Sequence, residues 1–326
     1  MKKLKFFQTF IESEIEKIFS ESSEPKNLYE PVNYTMSLPG KRIRPVLCMA
    51  GCDIFNESEV KNTIYPAIGL EVFHNFTLLH DDLMDKSEIR RNNSTVHKKW
   101  NDNIAILSGD AMMVMAYQFI SQSPSKILND VLTIFSRTAL EVCEGQQYDM
   151  DFETRMDVTE SEYIKMIRLK TSVLLGASLK IGAIIGSAEQ KEAQELYNFG
   201  CNAGIAFQLK DDWLDVFGNS SEFGKNTGGD IVSNKKTFLL ITALNYLPEK
   251  GKKELMKWLQ IEEFNKDEKI NAVKNLYEEA KVSKKAQEKM NFYYENSLNH
   301  LSEINRKKEI LSELAEFAQN FINRSR

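Results

Sequence analysis

The chain has 326 residues, 42% of them hydrophobic and 27% charged, with a net charge of −5 and a pI near 5.6. That length can bury a large core without disulfide staples, and the acidic balance argues against a general nucleic-acid binder, which needs a basic footprint. Four cysteines, Cys48, Cys52, Cys143 and Cys201, form no CxxC pair and read as small buried hydrophobes in a reducing compartment.

The N-terminal MKKLKFFQTFIESEIEK has a basic start, but Glu12 and Glu14 interrupt the apolar region that a signal peptide needs. No uncharged apolar run reaches the length of a membrane span. The expectation is a cytoplasmic chain with no membrane span. Apolar periodicity predicts helices near 4–20, 27–37, 43–55, 60–85, 103–122, 126–150, 160–168, 171–187, 190–217 and 235–246, with more beyond. No proline falls between Pro124 and Pro248, and no alternating strand pattern with hairpin turns stands out. The predicted fold is all-α, a single domain over 1–326. It has a motif-bearing core at about 38–240 and a solvated helical layer at about 248–326. The longest break, Gly218–Lys236, holds four glycines and three lysines and is a candidate lid.

Two stretches repeat one short pattern. LLHDDLMD contains Asp81, Asp82 and Asp85; FQLKDDWLD contains Asp211, Asp212 and Asp215. On a helix, positions i and i+4 share a face, so Asp81 pairs with Asp85 and Asp211 with Asp215. Hard oxygen ligands on rigid elements suit Mg²⁺, which fills its shell with water and substrate phosphate oxygens. A solvated acidic face explains one such motif at least as well. It explains two poorly, because each interrupts an apolar run. Two bare carboxylates at about 4 Å repel by about 4 kcal/mol at an effective dielectric of about 20, a cost that cations remove.

Cationic groups lie near these acids in sequence. Lys41 and Arg44 of GKRIRP follow a glycine turn at a predicted helix start, where anions are attracted. Arg90 and Arg91 follow the first motif. His74 lies two turns before Asp81 on roughly the same face, and Gln208 shares the face of the second motif. A lone Lys170–Thr171 pair says nothing by itself.

In order, GKRIRP, LLHDDLMD, RR, GQQYD, KT, FQLKDDWLD and GK…NKK closely resemble the trans-isoprenyl diphosphate synthase (polyprenyl synthetase) family of the short-chain farnesyl/geranylgeranyl type. The resemblance spans about Leu38 to Leu240. It implies an isoprenoid-synthase-type helical bundle around a deep central cavity, and a homodimer. It implies a Mg-dependent prenyltransferase that joins isopentenyl diphosphate to an allylic diphosphate (dimethylallyl, geranyl or farnesyl), giving a C15–C20 product plus diphosphate. Asp81, Asp82, Asp85, Asp211 and Asp215 would hold three Mg²⁺ ions per site. Arg90, Lys170, Lys225 and Lys235 would bind the allylic diphosphate, and Lys41, Arg44, His74 and Arg91 isopentenyl diphosphate. Thr171 and Gln208 would face the developing carbocation, with Gln146 and Asp149 near the substrates. Two departures stand out. Asn92 replaces the usual glycine after RR, and the stretch between Lys225 and Lys235 is one residue longer than in many relatives, leaving Lys235 or Lys236 as the contact.

Bound metal would act as a Lewis acid on the leaving diphosphate, and fixed cations would meet its growing charge. Apolar walls would keep water from the allylic cation. Cavity depth below the first motif should set product length. The resemblance assigns that role to the bulky Phe76 and the small Thr77, although Phe76 also reads as plain core. Three rival readings remain: a non-catalytic partner subunit of a heteromeric synthase, a class I terpene cyclase, and an acidic helical scaffold, which would show no magnesium-dependent diphosphate binding. Intact aspartate motifs disfavour the first. The form of the second motif, together with Lys41 and Arg44, disfavours the cyclase.

Overall fold

The computed structural model describes residues 1–21, 23–218 and 228–323. In chain order the helices are α1 (Lys2–Phe19), α2 (Lys26–Ser37), α3 (Ile43–Asp53), α4 (Ile64–Met84), α5 (Val96–Lys99), α6 (Asp102–Ile120), α7 (Leu128–Thr154), α8 (Glu160–Ile167), α9 (Val173–Ile185) and α10 (Gln190–Phe217). There follow α11 (Gly229–Val232), α12 (Phe238–Tyr246), α13 (Glu249–Gln260), α14 (Lys266–Glu279), α15 (Val282–Ser302) and α16 (Lys308–Asn323). The predicted helix over 60–85 resolves into a 3₁₀ turn (Glu57–Thr63) and α4. Among the described residues the only sheet is a hairpin of β1 (Ile89–Arg90) and β2 (Asn93–Ser94), which the sequence pattern does not show because each strand has two residues.

The chain forms two compact units. The first collects Met1–Arg137, Leu174–Tyr197 and Glu303–Leu314. In it, α1 buries Leu4, Phe7, Ile11, Ile15 and Phe19, the stripe expected of an amphipathic helix. Helix α3 is buried along most of its length and meets α9 at glycines. A Cβ on Gly182 would collide with the Cys48 carbonyl, so only the bare backbone allows this approach. Gly69 of α4 likewise lies against the α6 backbone at Ala116 and Ile120.

Helix α6 has the length and apolar composition that could cross a membrane, by those criteria alone. Ala105, Ser108, Gly109, Met112, Ala116 and Ile120 pack inside the unit, while Ile106, Leu107 and Val114 are exposed.

The second unit collects Thr138–Val173, Asn198–Ser302 and Ala315–Arg326. Its core gathers Phe152, Tyr163, Leu209, Phe238, Leu255 and Tyr277 among others. Helix α8 opens with a capping box in which Thr159 and Glu162 satisfy each other's backbone. It runs into a π-turn at Arg168–Ser172, and Gly145 of α7 lies so close that a Cβ there would strike the Lys170 backbone. Such turns often mark functional positions. The C-terminal helices carry thin apolar stripes, as expected; α13 buries only Gly251 and Leu255.

All four cysteines are free thiols. Cys48, Cys52 and Cys201 are buried, but Cys143 is exposed, contrary to the sequence reading, because it falls on the outer face of α7.

Candidate active site

In the first unit the first aspartate motif closes α4. Asp85 caps the helix, its N–H bonding to the Asp81 carbonyl, and Lys86 and Ser87 turn the chain out. Asp81 is half-buried and Asp85 exposed, one turn apart. Asp82 is buried. The sequence groups it with the metal ligands, yet both its oxygens accept from Arg90. Nε donates at 2.8 and 3.0 Å and Nη2 at 2.5 Å. Burial pushes the Asp82 carboxyl up against the pull of that guanidinium. Arg90 Nη2 also lies 3.7 Å from Asp81.

The hairpin that follows presents Arg90 and Arg91. Its two turn residues, Arg91 (φ 52) and Asn92 (φ 63), are both left-handed, the backbone of a type I′ turn. Asn tolerates that region, so Asn92 does what the usual glycine would. The Arg91 guanidinium reaches Gly40, where a Cβ would stand 2.8 Å from Nη1.

Around it lies a cationic set. Arg42, left-handed at the start of α3 (φ 47), is buried. It donates to Glu71 Oε1 at 3.1 Å and to the Met36 and Leu38 carbonyls. Burial pulls Arg44 down to about 10, so it stays charged at neutral pH, and its Nε is a buried donor with no hydrogen-bond partner. His74 is held well below its ordinary value by burial and then by Arg44, Arg91 and Arg90, so it is neutral. Lys41 is exposed at the rim. Phe76 packs edge-on to His80 and tilted against Phe73, and the Thr77 hydroxyl donates to the His74 carbonyl.

In the second unit the second motif ends α10. Asp212 is buried, accepting from the Tyr163 hydroxyl on one oxygen and from Gln208 Nε2 at 3.3 Å on the other. Thr171 donates to Gln208 Oε1 at 3.4 Å, so Thr171, Gln208 and Asp212 form one chain. Lys170 Nζ donates to Asp149 at 2.6 Å.

Asp230 joins this group. Its N–H donates to Asp215 Oδ2 at 2.9 Å, while the Gly228 N–H bonds to the Asp215 carbonyl. Burial raises the carboxyls of both Asp212 and Asp230. Lys235 opposes that rise, and Asp215, Asp211 and Asp149 add to it at Asp230. Lys236 instead donates to the Glu153 carbonyl at 3.0 Å. Lys225, with residues 219–227 of the candidate lid, lies outside the described residues.

Sequence reasoning missed Asp230, Tyr163 and Glu71. Asp230 sits in GGDIVSNKK with no paired acid at helical spacing. Tyr163 carries no signal. Glu71 has one, since it interrupts the apolar run IGLEVF.

Among the described residues no group of three or more His, Cys, Asp or Glu side chains is arranged to hold a metal ion. The donor chemistry nonetheless fits Mg²⁺: hard carboxylate oxygens on helices, with Asp230 raised by burial and by neighbouring Asp215, a state that a cation relieves.

The polyprenyl synthetase family model matches residues 25–279. The chain belongs to the polyprenyl synthetase family. It is a prenyltransferase with the all-α isoprenoid-synthase fold. Over 98% of both chains it is 35% identical to a geranylgeranyl diphosphate synthase of Sulfolobus acidocaldarius. A geranylgeranyl diphosphate synthase of Methanosarcina mazei is 40% identical over 71% of this chain and 70% of its own. A crystal structure of a geranylgeranyl pyrophosphate synthase superposes with a TM-score of 0.93 at 42% identity, covering 98% of each chain.

Proposed function

We propose that the chain condenses isopentenyl diphosphate with an allylic diphosphate to give a C15–C20 trans-prenyl diphosphate. One observation carries this reading. On a single unit, carboxylates suited to a divalent cation stand beside guanidinium donors suited to a diphosphate, and Arg44 keeps a buried donor without a partner. The names of the similar synthases agree with it.

Asp81, Asp85, Asp211 and Asp215 are the proposed ligands of three Mg²⁺ ions, which supply Lewis acidity to the departing diphosphate. Asp82 we assign to holding Arg90. Arg90, Lys170, Lys225 and Lys235 bind the allylic diphosphate and meet the negative charge that grows on it as the carbon–oxygen bond breaks. The charge of Lys235 acts on Asp212 and Asp230, whereas Lys236 is engaged by the Glu153 carbonyl, which favours Lys235 in this role. Lys41, Arg44, His74 and Arg91 bind isopentenyl diphosphate, and the neutral imidazole donates a hydrogen bond without adding charge. Thr171 and Gln208 turn oxygen dipoles toward the cation. The proton lost at the end goes to the diphosphate, so no protein base is needed. Phe76 and Thr77 bound the growing chain.

The exposed Ile106, Leu107 and Val114 of α6 support a homodimer that covers them. The free thiols support a cytoplasmic location. The family match runs through segments of both units, which supports a single functional domain.

The test is incubation with radiolabelled isopentenyl diphosphate, each of three allylic starters, and Mg²⁺ or EDTA, followed by sizing of the dephosphorylated products. A Mg-dependent C15 or C20 alcohol is expected. No elongation with any starter moves the assignment to a partner subunit or a cyclase.

A further inference from the structure

Lys269 is fully buried, with 0% of its surface exposed. It stands in the first turn of α14, where the helix dipole disfavours a cation. Burial and dipole both oppose the charge, and burial lowers its pKa. An apolar side chain of equal length would fill the same space at less cost. The partners of the ammonium explain the choice of residue. Nζ donates to Asn234 Oδ1 at 2.7 Å and approaches the Val232 carbonyl at 3.5 Å, and it lies 4.1 Å from the Phe264 ring.

Asn234 is itself in the left-handed region (φ 56), and its Nδ2 donates to the Leu259 carbonyl at 3.0 Å. It immediately precedes Lys235, whose N–H bonds to the Asp230 carbonyl at 2.9 Å. At the other end of α11, Gly228 (φ 93) rests directly on Ile270. Adjacent residues of α14 therefore seat both ends of the segment that brings Asp230 to Asp215.

We propose that Lys269 is a positioning residue of the synthase site: through Asn234 it fixes the turn that carries Asp230 and Lys235 against Asp215. The inference rests on the function proposed above. It takes the loop geometry, and not the packing of α14, as the reason for a buried lysine.

The test compares the wild-type chain with Lys269→Met and Asn234→Gly. Glycine keeps the left-handed backbone and removes both the acceptor of Lys269 and the donor to the Leu259 carbonyl. Both variants should raise the KM for the allylic diphosphate and the half-saturating Mg²⁺ concentration by about ten- to a hundredfold, the scale of a misplaced binding group. The KM for isopentenyl diphosphate should stay within about twofold. The melting temperature should hardly change in Lys269→Met and should fall in Asn234→Gly, which strands a buried ammonium, and combining the two changes should add little to the KM effect. Amide exchange at residues 228–237 should quicken in each. A lower melting temperature with both KM values unmoved and exchange unchanged overturns the proposal, leaving Lys269 a packing residue. If Lys269→Met does not fold, Asn234→Gly decides alone. Absence of prenyl transfer by the wild-type chain would count against the proposed function, whereas the exchange readout still judges the positioning.

Discussion

Arg90 grips Asp82 through two nitrogens, with Nε 2.8 and 3.0 Å from the two carboxylate oxygens and Nη2 2.5 Å from one of them. Adjacent acids of one motif thus have different surroundings. Asp81 keeps its oxygens near the guanidinium without such a grip, 3.7 Å from it.

The two should separate under mutation. Asp81→Asn removes a proposed metal ligand, and turnover should fall by about 10²-fold or more, the scale of a lost transition-state charge contact, with stability little changed. Asp82→Asn leaves Arg90 half-buried without its main anion, with Asp81 still 3.7 Å away. Breaking such a pair costs about 3–5 kcal/mol when fully buried, and about 1–3 kcal/mol here because Arg90 is partly solvated. Urea unfolding checks the second figure and steady-state kinetics the first. Equal stability losses for both variants would refute the division.

Gly40 lies against the Arg91 guanidinium, and a Cβ there would stand 2.8 Å from Nη1. Gly40→Ala should therefore displace a flexible side-chain end and leave the fold intact. The expected outcome is a KM for isopentenyl diphosphate raised about tenfold, with the KM for the allylic substrate near normal, read from initial rates with one substrate saturating. A rise confined to the allylic substrate would move Arg91 to the other diphosphate.

The residues that proved legible in the sequence are those whose meaning depends on helical periodicity. Asp81, Asp211 and Asp215 fall on helices as the pattern says, Asp85 stands at the C-cap just past α4, and α10 begins and ends where its pattern says. Periodicity says nothing of what a side chain meets from a distant segment. Asp82 and Asp212 look alike in DDxxD, yet one is held by Arg90 and the other by Tyr163, 49 positions away in the chain. Asp230 was hidden for the same reason, since its tie to Asp215 runs through a backbone N–H that no side-chain pattern records. The left-handed Asn92 was legible as a departure, and its conformation explains why the departure is tolerated.

His74 supplies a pH dependence. Burial, then Arg44, Arg91 and Arg90, hold it well below its ordinary value of 6.5. Below about pH 6.5 the unfolded chain takes up a proton at this residue that the folded chain refuses, so ν of the unfolded state exceeds that of the native state. Stability then rises with pH through this window and falls on acidification. His74→Asn should flatten that part of the stability curve in denaturant titrations from pH 5 to 7. Inorganic diphosphate bound among the arginines should raise the His74 pKa, because it offsets the charges that depress it. Imidazole resonances followed by NMR with and without the anion would reveal the shift. A downward shift would place the anion elsewhere.

Arg91 pays a backbone penalty for its place. A non-glycine residue at φ 52 is strained by roughly 1 kcal/mol, and its pKa is lowered by burial, with Arg42 and Arg90 adding repulsion. Neither feature helps folding. Strain retained at one residue of a hairpin is explained when its side chain is needed where the strained backbone puts it. Arg91→Gly should then stabilise the protein by about 0.5–1 kcal/mol, since glycine adopts the turn freely and removes a crowded cation. The same change should raise the KM for isopentenyl diphosphate by at least about tenfold, because a charged donor to phosphate contributes about 1.5–3 kcal/mol. Thermal unfolding and initial-rate kinetics on one preparation measure both effects. Opposite movements of stability and affinity are expected, and a loss of stability with unchanged affinity would make Arg91 a structural residue.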